Sequence, residues 1–450
     1  MEQITKPHCG ARLDRLPDCR WHSSMFAIVA FGLLVCWSNA VGGLILAQLK
    51  ALGWTDNSTT ATFSAITTAG MFLGALVGGI IGDKTGRRNA FILYEAIHIA
   101  SMVVGAFSPN MDFLIACRFV MGVGLGALLV TLFAGFTEYM PGRNRGTWSS
   151  RVSFIGNWSY PLCSLIAMGL TPLISAEWNW RVQLLIPAIL SLIATALAWR
   201  YFPESPRWLE SRGRYQEAEK VMRSIEEGVI RQTGKPLPPV VIADDGKAPQ
   251  AVPYSALLTG VLLKRVILGS CVLIAMNVVQ YTLINWLPTI FMTQGINLKD
   301  SIVLNTMSMF GAPFGIFIAM LVMDKIPRKT MGVGLLILIA VLGYIYSLQT
   351  SMLLITLIGF FLITFVYMYV CYASAVYVPE IWPTEAKLRG SGLANAVGRI
   401  SGIAAPYAVA VLLSSYGVTG VFILLGAVSI IVAIAIATIG IETKGVSVES

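Results

Sequence analysis

From Met25 to Leu49 the chain runs without one charged side chain, and it does so again from Thr62 to Ile81. Similar apolar blocks cover Phe91–Phe107 and Phe113–Gly135. Each block is long enough to cross ~30 Å of hydrocarbon as a helix. No water is available there, so every backbone amide must find its partner within its own segment, and these blocks are helices. The pattern continues to the end of the chain. It predicts twelve spans over 25–49, 61–82, 90–107, 111–136, 148–173, 183–202, 264–290, 302–323, 331–348, 352–378, 389–413 and 418–440. Spans 9 and 10 are the hardest to divide, because only Gln349, Thr350 and their neighbours separate two apolar runs. The expected fold class is an all-α membrane protein of twelve transmembrane helices.

Charge placement orients the bundle. Only 12% of residues are charged, against roughly a quarter in soluble domains, too few to cover a water-facing surface. The net charge of +9 would suit a nucleic-acid binder if it formed one patch, but it does not. Of the 32 lysines and arginines, Lys50, Arg181 and Lys299 fall outside, Arg118 and Arg399 fall within spans, and the rest fall on the cytoplasmic side. This positive-inside bias puts both termini in the cytoplasm and excludes a soluble nucleic-acid binder. No cleavable signal peptide is expected, since residues 1–24 are polar and the first apolar block is too long for a signal core. The cysteines form no disulfide framework, and Cys36, Cys117, Cys163, Cys271 and Cys371 lie within spans as small apolar residues. Cys9 and Cys19 beside His8 and His22 match no standard zinc spacing, so no metal is expected.

The two ends of the chain repeat each other. Residues 203–262 form one long polar stretch, with a Pro-rich run, an Asp244-Asp245-Gly246 turn and an amphipathic helix over Tyr215–Val229 on the membrane surface. Six spans precede it and six follow. Asp83 opens the charged loop after span 2 and Asp324 the loop after span 8. Glu138, Pro141, Arg145 and Gly146 after span 4 are echoed by Glu380, Pro383, Arg389 and Gly390 after span 10. Pro203-Glu204-Ser205 closes span 6 as Ile441-Glu442-Thr443 closes span 12. Such a duplication predicts a tail over 1–24, helical bundles over 25–202 and 263–440 joined by a cytoplasmic linker over 203–262, and a tail over 441–450. Repeats of this kind rock against each other around a midplane site.

The loop after span 2 reads Gly79-Ile-Ile-Gly82-Asp83-Lys84-Thr85-Gly86-Arg87-Arg88, a tight reversal that holds a carboxylate and two guanidiniums ready to pair. Gly70, Gly74, Gly78 and Gly82 recur every four residues, a smooth stripe along which another backbone can approach and slide. At these residues the chain resembles the major facilitator superfamily. Arg118-Phe-Val-Met-Gly122-Val-Gly124-Leu-Gly126, Glu138-x-x-Pro141-x-x-x-Arg145-Gly146, Pro203-Glu-Ser-Pro-Arg207-Trp-Leu209 and Glu442-Thr-Lys444-Gly445 resemble motifs of its sugar porter branch over nearly the whole chain, with Ile441 in place of a proline. The closest type is a bacterial inner membrane metabolite transporter. The resemblance implies a cytoplasmic salt-bridge latch that holds the outward-open state, carried here by Asp83, Arg87, Arg88, Glu138, Arg143, Arg145, Glu204 and Arg207, with Glu380 and Arg389 in the second half. Met320 and Pro327 replace the two loop glycines of the second copy, which is expected to latch less strongly. The branch's span-7 Q-Q-x-x-G-x-N and span-10 G-P-x-P-W elements are missing, which argues against a glucose-like substrate.

Arg118, Arg399, Glu95 and His98 lie within spans, away from their ends. A buried arginine must face a cavity or a partner. Two of them, one per half, suit an anionic substrate such as a carboxylate, and the bland alternative is structural pairing with carboxylates or carbonyls. Many proton-coupled relatives carry a span-1 aspartate opposite the span-4 arginine. Here span 1 reads Cys36-Trp37-Ser38-Asn39-Ala40-Val41-Gly42 without an acid. Glu95 is the substitute coupling candidate, ~6 Å from Arg118 in depth at 1.5 Å per residue, although an i,i+3 pair with His98 would equally be structural. The other pocket candidates are amides and aromatics: Trp37, Asn39, Asn157, Trp158, Gln280, Tyr281, Asn285, Asn305, Tyr369, Tyr372 and Asn395. Asn57-Ser58-Thr59 forms a glycosylation acceptor, read here as a turn and N-cap before span 2.

These features predict a secondary transporter that moves a small polar metabolite by alternating access. An organic or sugar acid is favoured, with proton symport; a facilitator, or a carrier of a sugar or a cationic metabolite, is the alternative, and a transporter-derived sensor comes after that. It would act as a monomer in the inner membrane of a bacterium, with no cofactor. No enzyme is expected, because no nucleophile, base or metal group converges near an interface. No phosphate-binding loop or channel filter is present to support ATP drive or an ion channel.

Overall fold

The structure, a computed structural model, describes residues 7–17, 19–141, 145–240, 253–323, 325–383 and 386–443. Arg143, Asp324, Lys444, Gly445 and the Asp244-Asp245-Gly246 turn lie outside the described residues, as does the side chain of Arg145.

Nine helices among the described residues are individually long and apolar enough to cross a membrane. The count reaches twelve spans for three physical reasons. Span 1 is broken into Arg20–Val35 and Gly42–Ala51, and span 5 into Arg145–Asn157 and Ser159–Leu170, so neither passes as one rod. Spans 11 and 12 run together as Lys387–Ile439 across Gly417, whose φ of 66° only glycine adopts cheaply. The remaining spans are Asn57–Thr85, Arg87–Ala106, Met111–Tyr139, Ala176–Tyr201, Gly260–Thr293, Leu298–Met309 with Gly311–Val322, Arg328–Ser347 and Met352–Glu380. Spans 9 and 10 separate at the expected turn. Leu76, Ile80, Ile431 and Ile434 are more than half exposed, an apolar belt that hydrocarbon solvates and water does not.

Side-chain oxygens start several of these helices by accepting an orphan backbone N–H. Asn110 accepts from Phe113 at 2.9 Å and Asn297 from Asp300 at 2.8 Å. At span 2 the cap is Asp56, which accepts from Thr59 at 2.7 Å, and not the expected Asn57. Asn57 instead accepts from Lys50 at 2.8 Å and donates to Ser414 at 2.9 Å.

The glycine stripe of span 2 packs on span 4 of its own half. A Cβ at Gly70 would strike the Phe119 carbonyl, one at Gly74 the Val123 carbonyl and one at Gly78 the Ala127 backbone, while Gly122 and Gly126 press back on Thr67 and Met71. Gly311 and Gly315, each 241 positions later, meet Phe360 and Thr364 of span 10 in the same way. The stripe is therefore a static seam inside each half, not a sliding surface.

The linker and the N-terminal segment form a small module at one end of the bundle, called here the linker end. The helix Tyr215–Thr233 turns its apolar face, Ala218, Met222, Ile225 and Val229, onto Cys9, Leu13, Leu16, Trp208 and Leu209. Protein, not the membrane surface, covers that face. Arg12 pairs with Glu226 at 2.7 Å and with Glu219, and Arg15 pairs with Glu226 at 2.6 Å.

At the far end the two halves close on each other. Gly43 lies against the Ile284 and Asn285 backbone, and Ala61 packs with Trp286, Ile290, Val409, Ala410 and Leu413.

Candidate functional site

The break in span 1 builds the site. Between Cys36 and Val41 the helical ladder lapses, which leaves the Ser38 carbonyl to take a side-chain donor. Arg118 supplies it, with Nη1 at 2.8 Å. Gly42 is needed next to it, since a Cβ there would lie 2.8 Å from Arg118 Nη2 and 3.6 Å from Asn285 Oδ1 of the other half. Arg118 Nε also donates to Thr67 at 3.3 Å, and its guanidinium sits 4.6 Å from the Phe63 ring centre. It is 2% exposed. Among the described residues no carboxylate lies within ion-pairing distance of it. A desolvated cation thus stands at the seam of the two halves, held by neutral groups, with an amide from span 7 beside it.

A second buried chain joins it. His98 Nε2 lies 2.7 Å from Ser38 Oγ, and Nδ1 lies 3.5 Å from Glu95. Ser38, Glu95 and His98 are fully buried, and both Glu95 oxygens lack a hydrogen-bond partner. The sequence offered Glu95 as a neighbour of Arg118 in depth. The link through Ser38 was invisible there, because it depends on a helix break with no proline to mark it.

The inter-half seam continues through spans 5, 7, 8 and 10. Spans 5 and 8 are both interrupted at the same level, where Trp158 and Phe310 meet with ring centres 6.3 Å apart. Asn305 donates to Ser164 at 3.1 Å while its Oδ1 is buried and unpartnered. Tyr160 and Tyr367 meet with ring centres 5.3 Å apart, and their hydroxyls lie beside each other and Gln280. Tyr281 lies on Gly402, which also faces Thr68. The structure therefore brings Arg118, Asn285, Asn305, Gln280, Tyr281 and Trp158 to the seam, and adds Tyr160, Ser164 and Tyr367. Nothing in the sequence distinguished those three from the many packing aromatics and hydroxyls of the spans.

Other candidates go elsewhere. Tyr369 donates to the Val272 carbonyl at 3.1 Å, and Tyr372 stacks on Tyr377 at 5.0 Å with its hydroxyl against Gly332, so both belong to the core of the second half. A π-helical stretch over Tyr372–Tyr377 carries Tyr372 there, in the region where the family's G-P-x-P-W element is missing. Trp37 is buried among Val41, Leu44 and Leu114. Asn39 is half-buried within the break. Asn157 donates back to Ser153 and Asn395, exposed, to Ser391. Arg399 stands about one turn toward the linker end from Gly402, with Nη1 buried and unpartnered. It does not share the Arg118 cluster, so the two forks do not converge on one point.

The latch residues form two matching clusters, one in each half. Arg87 reaches Glu138 at 2.9 Å and Asp83 at 2.6 Å, and Glu204 accepts the Arg87 and Arg88 backbone N–H at 2.7 and 3.2 Å. Ser205 donates to Glu138 and Arg88 to the Trp199 carbonyl. Arg207 pairs with Asp14 of the N-terminal segment at 3.0 Å. In the second half Arg328 grips Glu380 through two donors at 3.0 and 3.1 Å, Glu442 accepts the Arg328 and Lys329 backbone N–H at 2.8 and 3.1 Å, and Thr443 donates to Glu380 at 2.6 Å. Despite the loss of the loop glycines, the ion pair of this copy is formed and two-pronged. Arg328 and Glu442 were missing from the expected latch, although the repeat offset from Arg87 and Glu204 points straight to them. Arg389 lies over the Tyr254 ring at 5.2 Å.

Comparison with known proteins bears on the family and the fold. The family model described as Major Facilitator Superfamily matches residues 26–406. The chain is 44% identical to the inner membrane metabolite transport protein YdjE of Escherichia coli strain K12, over 100% of this chain and 99% of that one. It is 26% identical to the niacin transporter NiaP of Acinetobacter baylyi, over 98% of each. Its fold matches the inward open conformation of the xylose transporter XylE from E. coli with a TM-score of 0.75 at 16% identity, over 95% of this chain and 98% of that one.

Proposed function

Since the chain belongs to the Major Facilitator Superfamily, we propose that it carries a small organic or sugar acid across the bacterial inner membrane, as a monomer, by alternating access coupled to protons. The carrying observation is Arg118, a buried guanidinium at the seam that has no carboxylate partner among the described residues. A substrate carboxylate supplies the missing partner, and the amides and hydroxyls of Asn285, Asn305, Gln280 and Tyr281 orient its neutral part. The name of the niacin transporter, a relative that handles a small carboxylic acid, supports the same class. Positive-inside charge supports a cytoplasmic linker end. The far-end contacts then make this an outward-closed state, so the intact Arg87 and Arg328 clusters do not act as the expected latch of the outward-open state; they hold the hinge loops of each half as rigid pieces for the rocking motion.

The test is uptake into proteoliposomes of nicotinate, gluconate, xylose and choline. The acid reading expects saturable uptake of at least one acid and about 100-fold loss in Arg118→Gln, the scale of one lost charge-assisted bidentate contact. Uptake of xylose or choline alone, indifferent to Arg118, would overturn it in favour of a sugar or cation carrier.

A further inference from the structure

Glu95, His98 and Ser38 form a buried chain that ends on Arg118, and the proposed transport does not by itself explain why it is there. A peripheral structural pair would satisfy its own polar atoms. Here both Glu95 oxygens and His98 Nδ1 lack a hydrogen-bond partner among the described residues, although all are fully buried. The elements packed around them bring few other ionisable groups. The broken span 1 contributes the Cys36 thiol, and span 4 contributes Arg118. On their own helix, Tyr94 is engaged with the Gly78 carbonyl at 2.8 Å. Span 4 also backs His98, because Gly124 abuts its backbone with little room for a Cβ.

We propose that the Glu95–His98 pair is the proton site, and that it binds one proton for each monoanion held by Arg118, so that transport is electroneutral. The argument is charge balance in a medium that tolerates little net charge. In the empty site Arg118 carries +1 and Glu95 carries −1, with His98 neutral. A bound monocarboxylate adds −1, which one proton on the pair cancels. The carboxylate–imidazole pair accepts the proton, no covalent bond is broken, and it is released to water with the anion on the other side. Ser38 couples the two sites physically, since its hydroxyl holds His98 while its carbonyl holds Arg118. By linkage, the anion raises the pair's affinity for a proton as much as the proton raises affinity for the anion. This deepens the acid-transport reading and rests on it.

One test needs no substrate. Removing the Arg118 charge does what a bound anion does, so in Arg118→Gln at neutral pH the pair holds a proton that the wild type lacks. The readouts are the infrared carboxylic-acid stretch and the 15N imidazolium signal, each assigned by its loss in Glu95→Gln or His98→Gln. An unprotonated pair in folded Arg118→Gln overturns the proposal. A second measurement serves if that variant does not fold. Nicotinate affinity of the wild type, by calorimetry near neutral pH, rises about ten-fold per unit fall in pH when one proton enters with each anion, and Glu95→Gln abolishes that slope. Nicotinate binding without a slope in the wild type overturns the proton site and leaves the acid reading standing. A protonated pair in Arg118→Gln with no acid transported by the wild type does the reverse.

Discussion

Gly74 has no room for even a methyl group. Its Cβ would enter the Val123 carbonyl of span 4, and neither helix can retreat, because Gly70, Gly122 and Gly126 hold the same seam on both sides. Gly79, five residues on, has nothing within 4 Å. Gly74→Ala should therefore cost about 1–3 kcal/mol through overpacking and lower the melting temperature of the detergent-solubilised protein by several degrees. Gly79→Ala should be neutral or slightly stabilising, since alanine is the better helix former. Equal effects at the two sites would remove the seam argument. The stripe was visible in the sequence, but its partner was not. A four-residue glycine spacing says that some backbone comes close, and only the packing of span 2 on span 4 says which.

At the scale of elements, the N-terminal helix Cys9–Asp14 and the linker helix Tyr215–Thr233 make the clearest addition to what the sequence offered. An amphipathic helix with a lipid-ready face looks the same in sequence as one with a protein-ready face, and the partner lay about two hundred residues away. Burial pushes the Cys9 thiol up to about 12, helped by Glu210. Arg12→Ala should free the segment and speed maleimide labelling of Cys9 at neutral pH at least ten-fold, in a background without other cysteines. Burial opposes the Glu226 charge, yet hydrogen bonds from Arg12 and Arg15 hold its carboxyl below the usual glutamate range, and Arg12 and Arg223 do the same for Glu219. A carboxyl depressed in the folded state contributes stability above its unfolded pKa, near 4.5, and loses it as pH falls through the lower folded value. Protection from hydrogen exchange over residues 9–16, taken relative to the free-chain rate at each pH, should thus be high at neutral pH and fall below about pH 4, with that acid dependence lost in Arg12→Ala. The two loop clusters give a matched prediction. Glu138→Gln and Glu380→Gln each remove a charged partner of a mostly buried arginine, and they should lower transport rate by similar factors in proteoliposomes. A silent Glu380→Gln would mean that the second copy is indeed the weaker one.

For the whole molecule, the decisive feature is closure at the far end, where Asn57 and Ser414 touch across the halves at 2.9 Å. If the halves rock, this contact must open in every cycle. A disulfide between Asn57→Cys and Ser414→Cys, in a background without other cysteines, should cut uptake below about a tenth and recover on reduction, since the pinned state binds but cannot reopen. Full transport with the crosslink in place would mean that the far end does not gate.

Lipid as solvent, the twelve spans, the six-plus-six repeat and the residue types of the candidate site were all set by the sequence alone. Hydrophobic length and charge placement are one-dimensional properties, and the bilayer reads them one segment at a time. The tertiary structure alone decided which polar groups meet. It sent Tyr369 and Tyr372 into a core, brought Tyr160, Ser164 and Tyr367 to the seam, and tied Arg118 to His98 through a break in span 1. Those choices depend on helix rotation and on interruptions without a proline or a compositional mark, and a helix's angle about its own axis is fixed by its neighbours rather than by its own residues.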